Sequence, residues 1–223
     1  MQFEKQNFTK KSSYVLVPEG EHDAVLHGII ELGRHERNAF QGKQLPPANL
    51  IKLIFEIPSV QREDGVSEVI STGELTISNS ERSNLFKFIS ALEARNGKKT
   101  DEDSLADTLS DSNNMKALLG LPISLTVSHV TTKSGQVIAI IDSFSKLHSK
   151  LEAPNATREP VFFEFGVSTP KEFSKLTRRT QSKIVSALNA DKLESEILQN
   201  YYEQQEKFEA NKKQTQDNSK EIF

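Results

Sequence analysis

The hydrophobic positions predict two strands near the start of the chain. The first, Asp23 to Leu32, is rich in valine, isoleucine and leucine and is closed by Gly33. The second, Leu50 to Ile57, alternates apolar and polar residues, which is typical of a half-buried strand, and Pro58 should end it. Because side chains alternate between the two faces of a strand, one face should carry the core residues Ile51, Leu53, Phe55 and Ile57. The other face should then present Lys52 and Glu56 to solvent or to a ligand.

The segment between these strands is polar and basic and contains one aromatic residue. Pro46 and Pro47 should hold the approach to the second strand extended. The strand–loop–strand unit therefore predicts the seed of a small β-barrel and one wall of its binding surface. The loop side chains of interest are Arg34, His35, Arg37, Asn38, Phe40, Gln41 and Lys43.

Three more strands and one main helix follow. The helix is predicted over Asn84 to Arg95, with Asn96-Gly97 as its end, and residues 98–114 are predicted to be a polar loop before a helical turn at Met115 to Leu119. Gly73 should bend the third strand, and the last strand is almost wholly apolar and is expected to be central. The predicted strands are Val66 to Ile77, Ile123 to Val130 and Val137 to Ile141.

The order of three strands, a helix and two strands indicates an OB-fold. This fold is a five-stranded Greek-key barrel, here with the helix between strands three and four. The predicted class is therefore mainly β with helices, completed by a C-terminal helical extension. The predicted domain organisation is a flexible arm over residues 1–13, the OB-fold over 14–150, a linker and helical extension over 151–202, and a disordered tail over 203–223.

Two features support the last two regions. Val161 to Phe165 could be an extra strand or a segment packed along the barrel, and Thr169-Pro170 should start a helix whose pattern continues to Tyr202. From Glu203 onward, glutamine, glutamate, lysine and asparagine dominate, and such composition buries too little apolar surface to order the chain.

Composition narrows the functional classes. The 223 residues contain no cysteine, which excludes disulfides, thiolate metal sites and a cysteine nucleophile. The N-terminal residues lack the apolar region of a signal peptide, and no apolar run is long enough for a membrane span, so a cytoplasmic location is expected. The formal net charge is −3, so any nucleic-acid binding would need a local basic patch.

No residues form a recognisable catalytic or metal-binding pattern. The five histidines lack metal-ligand spacing, no serine lies in a nucleophile elbow, and the acidic stretch 101–111 has the irregular spacing of a solvated loop. The protein is therefore expected to be neither an enzyme nor a cofactor carrier. What remains is a binding surface.

Single-strand binders combine cationic grooves with aromatic side chains on which bases stack. The alternative is that the lysines only confer solubility and that Phe40 anchors its loop in the core. The predicted nucleic-acid-binding residues are Arg34, Arg37, Phe40, Lys43, Lys52 and Lys133.

Several motifs resemble the OB-fold single-stranded DNA-binding proteins of tailed bacteriophages, over about residues 14–147. This resemblance implies a protein that coats single strands, in the host cytoplasm if it is phage-encoded, during DNA replication, recombination and repair, without catalysing a reaction. The motifs are Val17-Pro18-Glu19-Gly20, Ile29-Ile30-Glu31-Leu32-Gly33, Phe40-Gln41-Gly42-Lys43, Pro46-Pro47-Ala48, Leu53-Ile54-Phe55-Glu56-Ile57, Ser83-Asn84-Leu85 and Leu118-Leu119-Gly120-Leu121-Pro122.

The C-terminus offers a second possible site. Glu221, Ile222 and Phe223 after a polar linker resemble the tails with which many single-strand binders dock on replication or recombination proteins, although three lysines dilute the acidic charge here. An ordinary frayed end is the alternative. Two other functions stay open: a protein-interaction or recombination-mediator module on the same barrel, and a virion or assembly accessory protein.

Overall fold

The computed structural model describes residues 15–39, 41–148 and 151–220, with side chains of the last helix as far as residue 209. These residues form a mixed α/β fold with one sheet and six α-helices. The strands are β1 (Gly20–His35), β2 (Ala48–Gln61), β3 (Ser67–Ser71), β4 (Leu75–Thr76), β5 (Pro122–Thr131), β6 (Val137–Lys146) and β7 (Val161–Phe163). The helices are α1 (Asn84–Ala94), α2 (Glu102–Ser110), α3 (Ser112–Lys116), α4 (Pro170–Ser174), α5 (Arg178–Val185) and α6 (Ser195–Lys220), with a 3-10 turn at Ala190–Lys192.

The sheet is built around β1, the longest strand. The strand order is β3-β2-β1-β5-β6, with β4 also paired to β2 and β7 paired to β1. All pairs are antiparallel except β1 with β7. In the described part of the chain no hydrogen-bonded ladder joins β3 to β6, so the sheet is open and the predicted barrel is not closed.

The first hydrophobic core lies between the sheet and α1. The alternating residues of β2 are each at most 1% exposed, which confirms the predicted face. They meet Leu85, Ile89 and Leu92 of α1, and Phe88 stacks between Phe55 and Phe144 at centroid distances of 5.7 and 3.6 Å. Burying one such side chain is worth about 1.5–3 kcal/mol, so this layer contributes substantially to the stability of the sheet.

A second core covers the other face of the sheet. Ile30 and Leu32 of β1 pack with Phe163 of β7, Ile184 of α5 and Ile197 of α6. Strand β1 is thus covered on both faces, which explains why its apolar run is nearly continuous rather than alternating. Residues after 151 therefore pack on the sheet itself. The segment that contains β7 forms an extra strand, which was the first of the two alternatives predicted for it.

The helix α1 begins where the sequence predicted. The Ser83 hydroxyl accepts a hydrogen bond from the Phe86 N–H at 3.0 Å and caps the helix. The predicted polar loop 98–114 is wrong, because α2 and most of α3 lie there. Asp101 and Ser104 form a reciprocal capping box, and Leu105 anchors α2 in the first core.

Four other sequence predictions differ from the structure. Strand β2 passes through Pro58 to Gln61, with irregular pairing to β3 beyond Ile57, where a proline is tolerated. The predicted third strand is broken at 72–74, between β3 and β4. Strand β6 lies at a sheet edge rather than in the centre, and α6 is helical from residue 203 to Lys220, where disorder was predicted.

Glu56 is also placed differently from the prediction. Its carboxylate is fully buried, and its Oε1 and Oε2 accept hydrogen bonds from the N–H groups of Thr157 and Arg158 at 2.9 and 3.2 Å. This contact ties the segment before β7 to the sheet. None of the described helices is long and apolar enough to cross a membrane.

Candidate nucleic-acid interface

A surface groove of about 730 Å³ lies beside the open edge of the sheet. It is bounded by β2, the link between β3 and β4, the start of β6, and α5. We call it the α5 groove. Its lining residues are Lys52, Ser71, Thr72, Gly73, Glu74, Ile138, Ala139, Ile140, Arg179, Ser182, Lys183 and Ser186.

Three cations line the α5 groove and come from two distant parts of the chain. Lys52 lies on β2 between the buried residues Ile51 and Leu53, so alternation turns it to the opposite face. Arg179 and Lys183 are four residues apart on α5 and therefore share one helix face. Lys52 and α5 thus bring their positive charges to one concave surface.

Contacts at the end of β1 fix the position of α5. The N–H of Leu188, just after α5, donates to the Arg34 carbonyl oxygen at 2.7 Å. The Arg34 N–H in turn donates to Asn189 Oδ1 at 2.7 Å. Ile184 of α5 is fully buried in the second core, so Arg179 and Lys183 sit on a helix held from its other side.

The cations of the α5 groove are only partly compensated. Lys183 Nζ lies 2.8 Å from Glu74 Oε2, whereas Lys52 and Arg179 form no ion pair with any residue that the structure describes. Burial, followed by the charge of Arg179 and then that of Lys183, lowers the pKa of Lys52, and the Glu74 carboxylate opposes only part of this effect. A half-buried cation with cationic neighbours favours the binding of an anion.

The polar side chains of the α5 groove include unused hydroxyls. Thr72 Oγ1 is occupied by the backbone of Leu53, and Ser186 Oγ donates to the Lys183 carbonyl. Ser71 and Ser182 have no side-chain partner within the described ranges, so their hydroxyls are free to donate to a ligand oxygen. Among the residues that the structure describes, no aromatic side chain lines the α5 groove.

A second cavity of about 420 Å³ adjoins the α5 groove and shares Glu74 with it. We call it the arginine cleft, because Arg37 and Arg82 both line it. The Arg37 Nε–H donates to the Pro46 carbonyl at 3.0 Å, which holds this side chain across its own loop. Of the predicted binding residues, Lys52 thus lines the groove and Arg37 lines the cleft beside it.

The remaining predicted residues are spread around these cavities. Arg34 and Lys43 are exposed but line neither, and Lys133 is exposed in the turn that leads into β6. Their roles stay predictions, as do those of the residues outside the described ranges, namely Phe40, Glu221, Ile222 and Phe223. Arg179, Lys183 and Arg82 were not among the predicted binding residues, although the i, i+4 spacing of Arg179 and Lys183 on α5 is visible in the sequence.

No family model and no curated protein matches this chain. Within the described residues, no group of three or more histidine, aspartate or glutamate side chains is placed to hold a metal ion.

Proposed function

We propose that this protein binds single-stranded DNA in the α5 groove, with little dependence on base sequence. The observation that carries this proposal is the convergence of Lys52, Arg179 and Lys183 on one groove beside an open sheet edge. Two of these cations have no ion-pair partner among the described residues. Cationic grooves that follow a phosphate backbone are the common feature of sequence-tolerant single-strand binders.

The strand order supports an OB-like fold for this role. The chain orders its five main strands as β3-β2-β1-β5-β6 and inserts α1 between the third and fourth of them, as in a Greek-key barrel that has not closed. OB-folds bind oligonucleotides across strands two and three and through the loops that adjoin them. The α5 groove touches β2, the end of β3 and the start of β6, which agrees with that location.

The chemistry of the lining favours nucleic acid over a protein partner. The centres of protein interfaces are rich in aromatic residues and poor in charge, whereas the α5 groove carries three cations and four hydroxyl side chains. The aliphatic strip Ile138–Ile140 on β6 supplies apolar surface that bases can contact. Phe40 stays a prediction as the stacking residue.

In this proposal the protein coats and protects single strands during replication, recombination and repair, and catalyses no reaction. That role would place the protein in the cytoplasm, which is the host cytoplasm if the protein is phage-encoded. Its relationship to the phage single-stranded DNA-binding proteins is part of the proposal. Partner docking through the C-terminal residues belongs to the same hypothesis.

The test is a fluorescence-anisotropy titration of single- and double-stranded oligonucleotides at two salt concentrations. Three phosphate contacts give a slope of log affinity against log salt of about −2, so affinity should fall roughly 20-fold between 50 and 200 mM salt. The double variant R179Q/K183Q should lose most of the binding. K146Q is the matched control, because Lys146 lies seven residues along β6 from Ala139, roughly 23 Å away.

The α5 groove is not the DNA-binding site if single-strand binding does not respond to salt. The same conclusion follows if R179Q/K183Q binds DNA as tightly as K146Q does. Absence of any DNA binding by the folded protein would instead favour the protein-interaction or recombination-mediator alternative.

A further inference from the structure

We infer that the arginine cleft is a second phosphate-binding subsite, and that a bound single strand crosses from the α5 groove over Glu74 into this cleft. The inference rests on the proposed function and extends it, because it assigns a path and two further contacts to the bound strand. It adds Arg82, which sequence reasoning did not identify.

The two cavities are neighbours on the same part of the sheet. Strand β4 lines the cleft through Leu75 and Thr76, and Leu75 pairs with Ile51 of β2. Ile51 directly precedes Lys52, which lines the α5 groove. A ligand lying beside Lys52 therefore needs to pass only the edge of β4 to reach the cleft.

The cleft offers groups suited to a phosphate. Arg82 is exposed, and its guanidinium has no partner among the residues that the structure describes, while Arg37 is held in place by its bond to Pro46. The exposed Asn84 side chain also has no partner there and adds an amide donor. Arginine guanidinium groups bind phosphate oxygens in a two-pronged geometry, so two of them beside one cavity suit a backbone phosphate.

Three of the four hydroxyls that line the cleft already have partners and serve to shape it, those of Ser78, Ser80 and Ser83. Ser80 Oγ accepts from the Arg82 N–H at 3.4 Å, and Ser83 Oγ both donates to the Ser78 carbonyl at 3.0 Å and caps α1. These contacts fix the backbone on either side of Arg82. The backbone of Arg82 is thus held in place, while its exposed guanidinium has no partner among the described residues.

Of the acidic residues that the structure describes, only Glu74 lines either cavity, and it borders both. Its carboxylate repels phosphates at the crossing, which separates the cleft from the groove rather than merging them into one site. A short oligonucleotide should therefore contact only the three cations of the α5 groove, and only a longer strand should also contact Arg82.

Oligonucleotide length provides the test. OB-folds occupy roughly 4–16 nucleotides, so deoxythymidine oligomers of about 5 and about 20 nucleotides bracket the range. R82Q should weaken the long oligomer about tenfold, the expected effect of losing one charged hydrogen-bonded contact, and should flatten its salt slope by about 0.7. The same variant should leave the short oligomer unchanged, and R82K should recover part of the loss.

R179Q, which should weaken both oligomers, separates the two hypotheses. If R82Q leaves both lengths unchanged while R179Q weakens both, the cleft is not a subsite but the proposed function stands. If R82Q weakens both lengths equally, Arg82 is part of the first site and the second subsite is wrong. If neither variant changes the binding of either oligomer, the proposal that the α5 groove binds single-stranded DNA is wrong. Equal melting temperatures of R82Q, R179Q and the parent protein confirm that all three are folded.

Discussion

Replacing Glu74 by glutamine should tighten DNA binding. Glu74 pairs with Lys183 at 2.8 Å, so it occupies the cation that a phosphate would otherwise contact. A strand entering the α5 groove must either displace this carboxylate or tolerate its negative charge. E74Q keeps the size of the side chain and one carbonyl acceptor, but it removes the charge and replaces the other oxygen with an amide donor.

The size of the effect follows from the exposure of the pair. The Lys183 and Glu74 side chains are 30% and 44% exposed, so solvent screens their attraction. Exposed ion pairs of this kind contribute about 0.2–1 kcal/mol, so avoiding their disruption should raise affinity about 1.4- to 5-fold. Because Lys183 is already one of the three phosphate contacts of the parent protein, E74Q should raise affinity while the salt slope stays at about −2.

The assay is anisotropy of a labelled single strand at three or more salt concentrations. E63Q is the matched control: Glu63 is exposed in the β2–β3 turn, eleven residues along the hairpin from Lys52 and therefore roughly 30 Å away. E63Q should leave affinity and slope close to those of the parent. Unchanged or weaker binding by E74Q would show that a bound strand does not displace Glu74 from Lys183, and that Lys183 does not contact phosphate.

Three further predictions concern the groove and its support. K52M should raise the melting temperature at neutral pH while weakening DNA binding. The pKa of Lys52 is lowered in the folded protein, so its charged form opposes folding below that pKa. The gain in stability from K52M should therefore fade as the pH rises toward the pKa of Lys52 in the unfolded chain. Phe40→Ala should cost about 1–3 kcal/mol of DNA binding with little change in thermal stability if Phe40 stacks on a base, whereas a lower melting temperature would make it a core residue. Gly33→Ala should cost about 1–3 kcal/mol of stability in a denaturant titration and should also weaken DNA binding. The φ angle of Gly33 is +82°, and a new Cβ would collide with the Phe165 ring. It would also lie 2.7 Å from Ala187, close to the end of α5.

Local patterns predicted the parts of the fold that local physics determines. The alternation in β2 identified its buried face, and Ser83 identified the start of α1, because side-chain period and helix capping act within a few residues. The helix α2 was missed for a related reason. Only Leu105 and Thr108 of its nine residues are buried, so it has almost no apolar periodicity, and its acidic residues suggested a loop.

The position of β6 and the composition of the α5 groove could not be predicted in this way. The apolar run Val137–Ile141 indicated a central strand, yet β6 is an edge strand whose early residues are only partly covered and line the groove. Arg179 lies 127 positions after Lys52 in the chain. Nothing local marks the two as neighbours, because packing of α5 on the second core decides their proximity.

The energetics of Lys52 connect the fold to the proposed function. A lone lysine at this point of β2 could extend into water, but α5 covers it and brings two more positive charges alongside. Covering a cation in this way opposes folding, so the second core and the Glu56 contact that anchors the segment before β7 must offset it. A segment ending at residue 148 would keep Lys52 in contact with water but would retain only one of the three cations. Helix α5 is therefore both the source of the electrostatic cost and the means by which the α5 groove acquires the positive charge that the proposed DNA binding requires.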